Sequence, residues 1–130
     1  MRALVAIGAL LVSTNAMAGD RLDLPVRIDT TNHIAYGALG SAGNSLDGTQ
    51  YIGCWIEAWA MSGLPATPRV TCQAQDATGL VKSCSSSATQ FIQAVQAASG
   101  DVEVYFMWDD SYNCTYIAIS NISHFAPRQP

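Results

Sequence analysis

"VYFMWDDSYNCTYIAI", from Val104 to Ile119, decides between two kinds of protein. Its adjacent aspartates, Asp109 and Asp110, are either a pair of catalytic carboxylates or the tip of a hairpin. Val102, Val104, Phe106 and Trp108 alternate with Glu103, Tyr105 and Met107, which is the period of a half-buried strand. Cys114 to Ile119 is rich in β-branched residues, and "DDSYN" between the two runs is a turn by composition. Asp, Ser and Asn favour reversals because their side chains bond to nearby backbone. Neighbouring strand residues also point to opposite faces, whereas a glycosidase needs its two carboxyls about 5 to 10 Å apart across a substrate. The stretch therefore reads as an antiparallel hairpin with the aspartates in its turn. A calcium loop fits poorly, because it needs a glycine at its sixth position and an acidic residue at its twelfth, where Ser120 stands.

Outward from this hairpin, further elements follow from the same rules. Tyr51 to Ala60 reads as a strand with Ile52, Cys54, Ile56, Ala58 and Ala60 on a core face. Its other face carries Tyr51, Trp55, Glu57 and Trp59. Met61 to Pro68 is a connection, broken by Gly63, Pro65 and Pro68. In "RVTCQAQDATGLVKSC", two alternating runs flank a three-residue hairpin loop, with Gly79 suited to the left-handed position. That register places Cys72 opposite Cys84. Ser87 to Ser99 reads as a helix, with a Ser87–Gln90 capping box, a stripe of Phe91, Ile92, Val95 and Ala98, and Gly100 at its end. Val26 to Thr31 and His33 to Leu39 are candidate strands, and Gly40 to Gly48 is a loop by composition.

The first residues, "MRALVAIGALLVSTNAMAGD", combine a positive start, an apolar run of ten from Ala3 to Val12, and the small-x-small site Ala16-Met17-Ala18. This is the pattern of a signal peptide over residues 1–18, and the run is half of the roughly 20 residues a membrane span needs. A single secreted domain over residues 19–130 is then expected, in the periplasm or outside the cell, with a bacterial style of export signal. Without Arg2, five basic side chains face ten acidic ones, a net charge of −5. No basic cluster exists, which disfavours nucleic acid as a partner. No cofactor motif is present, and no second apolar stretch could span a membrane.

Four cysteines, Cys54, Cys72, Cys84 and Cys114, stand at intervals of 18, 12 and 30 residues. An even number in an exported chain of this size points to two disulfides, and the absence of close Cys-x-x-Cys pairs argues against zinc. The pairing stays open. The hairpin register favours Cys72–Cys84 with Cys54–Cys114, while the strands flanking Met61 to Pro68 favour Cys54–Cys72 with Cys84–Cys114. The fold class is α+β: an antiparallel, disulfide-braced β-sheet with one packed helix, and an OB-like small β-barrel is the specific alternative.

The stretch from Val70 to Pro127, with "VTCQAQDATGLVKSC", "FMWDD" and "CTYIAISNIS", resembles an uncharacterised family of small exported bacterial proteins and implies no activity. In outline, strands followed by a helix and the "VEVYFMWDD…TYIAISNI" hairpin are similar to the B subunits of AB5 toxins. That likeness implies an OB fold, pentamers and glycan binding, although the cysteine layout departs from the cholera-type pattern.

For function, the sequence reads as a non-enzymatic binding or interaction protein. Its candidate ligand-binding residues are Tyr51, Trp55 and Trp59, which would present an apolar surface to a protein or glycan. Small-hydrolase chemistry would have to use His33 or His124 with a serine, and no nucleophile elbow is present; "LGSAG" around Ser41 lacks the first glycine. An enzyme inhibitor inserting Met61 to Pro68 is a third reading. Asn113-Cys114-Thr115 and Asn121-Ile122-Ser123 match the glycosylation pattern but carry little weight in a bacterial chain.

Overall fold

The computed structural model describes residues 21–125, 127 and 129–130. The expected signal peptide over residues 1–18 lies outside the described residues.

Two antiparallel sheets form the body. One has the order β1-β2-β6-β7, from β1 (Arg27–Asp29), β2 (Ile34–Ala38), β6 (Glu103–Trp108) and β7 (Cys114–Ser120). The other has the order β3-β4-β5, from β3 (Tyr51–Trp59), β4 (Thr67–Gln75) and β5 (Val81–Ser86). The chain is thus α+β and predominantly strand. The ladders form two sheets rather than one closed barrel, and a parallel bridge between Ser85 and Asn113 links β5 to the start of β7.

Alternation decides what each sheet buries. Val104, Phe106 and Trp108 of β6 face Val70, Cys72 and Ala74 of β4 across a common interior, with Ala35 from β2 and Ile52 from β3. Small side chains let the layers approach. Gly37 is required where β2 passes the lead-in segment, since a Cβ there would stand 3.0 Å from the Val26 Cα.

The helix expected over Ser87 to Ser99 is shorter. It is α2 (Thr89–Gln96), and it buries Ile92 and Val95 against β7, β4 and β3. The capping box does not form. Ala88 occupies the N-cap with no side-chain cap, and the Ser86 hydroxyl accepts the Ala88 N–H at 3.1 Å instead. Beyond the helix, the Asn121 side chain donates to the Ala97 carbonyl and accepts from the Ser99 N–H at 3.2 Å. Gly100 takes a φ of 66° in the bend that follows.

The loop expected over Gly40 to Gly48 contains a second, short helix, α1 (Leu39–Gly43). Its glycines gave no apolar period to read. Packing makes it: Gly40, Ser41 and Ala42 are buried, and the Ser41 hydroxyl accepts the Leu24 N–H at 2.8 Å.

The hairpin read at Asp76 to Leu80 is present. Gly79 has φ 86°, Asp76 N–H donates to Leu80 at 3.1 Å, and Cys72 pairs with Cys84 in the ladder. Yet no disulfide joins that pair. Cys54 bonds to Cys72, and Cys84 bonds to Cys114. Cys72 has a cysteine on both flanking strands, and its Cα lies 4.0 Å from that of Cys54. That close approach belongs to a non-hydrogen-bonded pair, where side chains lie nearest. Cys84 is left for Cys114, and this bridge joins the two sheets.

Candidate functional site

Tyr51, Trp55 and Trp59 share the outer face of β3, as the alternation implies, and are 39, 46 and 49 % exposed. They lie along the edge of the three-stranded sheet, because β3 pairs with β4 alone. Gly53 sits between Tyr51 and Trp55 and opens a shallow notch of about 200 Å³ lined also by Gln73.

The core face of β3 is a partial correction to the sequence reading. Ile52 is buried and Cys54 and Ile56 are partly so, but Ala58 and Ala60 are exposed. The reason lies in the opposite layer, which ends before β3 does. Every residue from Glu57 to Arg69 is exposed. The β3–β4 hairpin therefore projects beyond the core as an arm. Pro68 does not break the strand; it lies within β4, paired with Ala58. The tip turns at Met61 to Leu64, where Leu64 N–H donates to Met61 at 2.9 Å and Gly63 has φ 81°. That positive φ is what the third residue of a type II turn requires. Met61 and Leu64 stand largely free at the tip. The Cys54–Cys72 bridge clamps the root of the arm.

Asp109 and Asp110 make a turn rather than an acid–base pair. One oxygen of Asp109 accepts N–H bonds from Ser111 and Asn113, both at 2.9 Å, and the other accepts the Asn113 amide at 3.0 Å. The Asn113 side chain, followed by its backbone N–H, holds the Asp109 carboxyl below the usual carboxylate range. Asp110 is fully exposed. Asp29, Asp47 and Asp76 build reversals in the same manner, each accepting backbone N–H groups two to four residues on.

His33 has φ 56°, stacks on Trp108 with ring centroids 5.6 Å apart, and places Nε2 3.9 Å from the Asp110 carboxylate. A small polar recess of about 100 Å³ adjoins it, lined by Lys82, Asp109 and Tyr112 among others. His124 packs its ring on Phe125 at 4.6 Å. Among the described residues, neither imidazole hydrogen-bonds a serine. No cluster of three or more His, Cys, Asp or Glu side chains that could hold a metal ion occurs among them either. Both asparagines of the glycosylation patterns spend their side chains on structural bonds, Asn113 to Asp109 and Asn121 to Ala97.

Sequence reasoning missed a second aromatic face. On the outside of the four-stranded sheet, Tyr36 stacks on Tyr105 at 6.0 Å, and Tyr116 meets Tyr105 edge-on at 5.6 Å. With Glu103, Met107, Ala118 and Ser120 the last two line an open groove of about 340 Å³. The signal was present in the alternation of β6, whose second face is Glu103, Tyr105 and Met107. What the alternation could not show is that Tyr36 and Tyr116 arrive beside it through pairing.

No described helix is long and apolar enough to cross a membrane. Comparison with protein-family models, curated proteins and solved structures finds no match to this chain.

Proposed function

We propose that this protein is an exported, non-enzymatic interaction module whose contact element is the β3–β4 arm, and that its partner is a protein. One observation carries the reading. The arm exposes Trp59, Met61 and Leu64 along a segment with no buried residue, rooted in a disulfide. Aromatic residues and methionine are enriched in protein contact surfaces and charged residues are depleted from their centres. The arm's only charged residues, Glu57 and Arg69, are paired at its root, and no charged side chain lies between them. A covalently clamped, turn-closed hairpin also loses little freedom on binding, which favours affinity. Export is supported by the N-terminal pattern and by two disulfides, which persist in oxidising compartments.

The test is site-specific photo-crosslinking in the native cells. A benzophenone amino acid replaces Trp59 in one strain and Tyr116 on the opposite sheet in another. A discrete protein adduct from position 59 and none from position 116 is expected. Absence of any adduct at position 59 removes the reading.

A second reading has its own observation. The notch over Gly53, flanked by Tyr51 and Trp55 with the Gln73 amide beside it, suits a sugar ring stacked on an aromatic face. Saturable change of tryptophan fluorescence on sugar titration, lost in Trp55→Ala, would favour a glycan over a protein.

A further inference from the structure

The free edge of β3 has a self-complementary register. Cys54 and Cys72 form a non-hydrogen-bonded pair, so the N–H and C=O of Cys54 point away from β4. By the two-residue period of a strand, those of Ile52, Ile56 and Ala58 do so as well. The far side of β4 gives the same parity. Asp76 N–H donates to Leu80, so even-numbered β4 positions direct their backbone to β5 and not to β3. Among the described residues, no hydrogen bond outside the β3–β4 ladder uses these outward groups. The unpaired edge runs from buried Ile52 through half-buried Cys54 and Ile56 to exposed Ala58, and an unpaired apolar strand edge is a template for another strand.

The sequence of β3 states which strand fits. Tyr51 and Trp59 lie four residues on either side of Trp55. In an antiparallel pairing centred on Trp55, Trp55 meets Trp55 and Tyr51 meets Trp59. Glu57 meets Gly53, where an added Cβ would find nothing within 4 Å, so the one charged side chain of the strand enters open space rather than facing another carboxylate. The backbone parity agrees. Trp55 directs its own N–H and C=O to β4, leaving it in a close, non-hydrogen-bonded pair across the new ladder. Ile52 with Ala58 and Cys54 with Ile56 then exchange about eight bonds over the two-fold. Moving the centre to Glu57 would instead set like charges opposite each other, which destabilises a sheet pair. Past Trp59 the arm continues along the second copy toward the residues that precede its Tyr51, where Leu46 is fully exposed.

We infer that the partner of the arm is a second copy of this chain, joined edge to edge through β3 with Trp55 on the two-fold axis. This rests on the reading of the arm as the contact element, and it makes a continuous six-stranded sheet with aromatic residues of both copies on one face.

The experiment is sedimentation velocity on the oxidised, natively purified protein and on Trp55 variants, with circular dichroism confirming the fold. Wild type is expected at twice the chain mass. Trp55→Lys and Trp55→Glu, each placing a charge against itself, are expected as monomers, and mixing the two in equal amounts restores the dimer. Ala58→Pro removes an outward N–H without touching the β4 ladder and is expected to be monomeric too. Monomeric wild type at every concentration overturns the inference. So does a dimer that Trp55→Lys leaves intact, or a pentamer, which requires head-to-tail contacts. The crosslinked adduct at position 59 separates the two claims. An adduct of twice the chain mass supports the homodimer, while an adduct with a different protein alone overturns it and leaves the arm as the contact element.

Discussion

Trp108 pairs with Cys114, whereas its neighbour Met107 pairs with Tyr116, so Thr115 is an extra residue in β7. The consequence is a change of parity. Ile117 and Cys114 are three residues apart, and strict alternation would put them on opposite faces. With Thr115 bulged outward, both face the interior, and Cys114 meets Cys84.

Deleting Thr115 is therefore expected to be tolerated. The shortened β7 becomes regular, with Cys114 still inward. Deleting Ala118 instead, within the regular ladder, turns Ile117 and Cys114 to solvent. Mass mapping of disulfides in the two deletion variants checks this: the Cys84–Cys114 bridge should survive the first and be absent from the second.

Loss of either disulfide should cost about 3 to 4 kcal/mol by loop-closure entropy, for loops with separations of 18 and 30 residues. That is a large share of the roughly 5 to 15 kcal/mol of a typical domain. The Cys84→Ser/Cys114→Ser pair is expected to be the more damaging, since it also releases one sheet from the other. Cys54→Ser/Cys72→Ser loosens a hairpin that eighteen ladder residues already hold. Urea unfolding of the two double variants ranks them.

Acid should weaken the fold through its turns. Asp47 is held well below its ordinary value of 3.8 by the Gln50 side chain, then by Thr49, and Asp29 by the Asn32 side chain. Burial raises the Asp76 carboxyl, but Thr78 and Leu80 outweigh it and the net shift is downward. Depressed folded-state values stabilise above the unfolded value and lose that contribution as pH falls through the folded ones. The urea midpoint should be insensitive to these groups above about pH 5 and should drop below about pH 4. Asp47→Asn is expected to lower the midpoint at neutral pH and to flatten the acid decline.

Substitutions on the arm should barely touch the stability of the monomer. In the monomeric Trp55→Lys background, Trp59→Ser and Leu64→Ser remove exposed side chains and are expected to change unfolding free energy by no more than about 0.5 kcal/mol. Phe106→Ala, at the centre of the core, should cost about 3 to 5 kcal/mol. Equilibrium unfolding measures both, and a large loss from Trp59→Ser would show that the arm is part of the core.

Gly37→Ala is expected to destabilise by about 1 to 3 kcal/mol, because the added methyl meets the Val26 backbone at 3.0 Å. The same measurement on Gly53→Ala, where the space is open, serves as the control.

The sequence by itself determined the local geometry: strands by two-residue alternation, the Asp76–Leu80 hairpin by its left-handed glycine, and the turn at Asp109 by side chains that bond their own backbone. It also placed Tyr51, Trp55 and Trp59 on one face. These features depend on residues within a few positions of each other. The tertiary structure decided which cysteine Cys72 would take, because two strands offered one each and the closer pair geometry selected Cys54. It decided that Leu39–Gly43 would be helical, through burial of small residues that have no period of their own. It decided as well that Ala58 and Ala60 would lie in solvent, because burial depends on how far the opposing layer reaches, and that layer is assembled from residues distant in the chain.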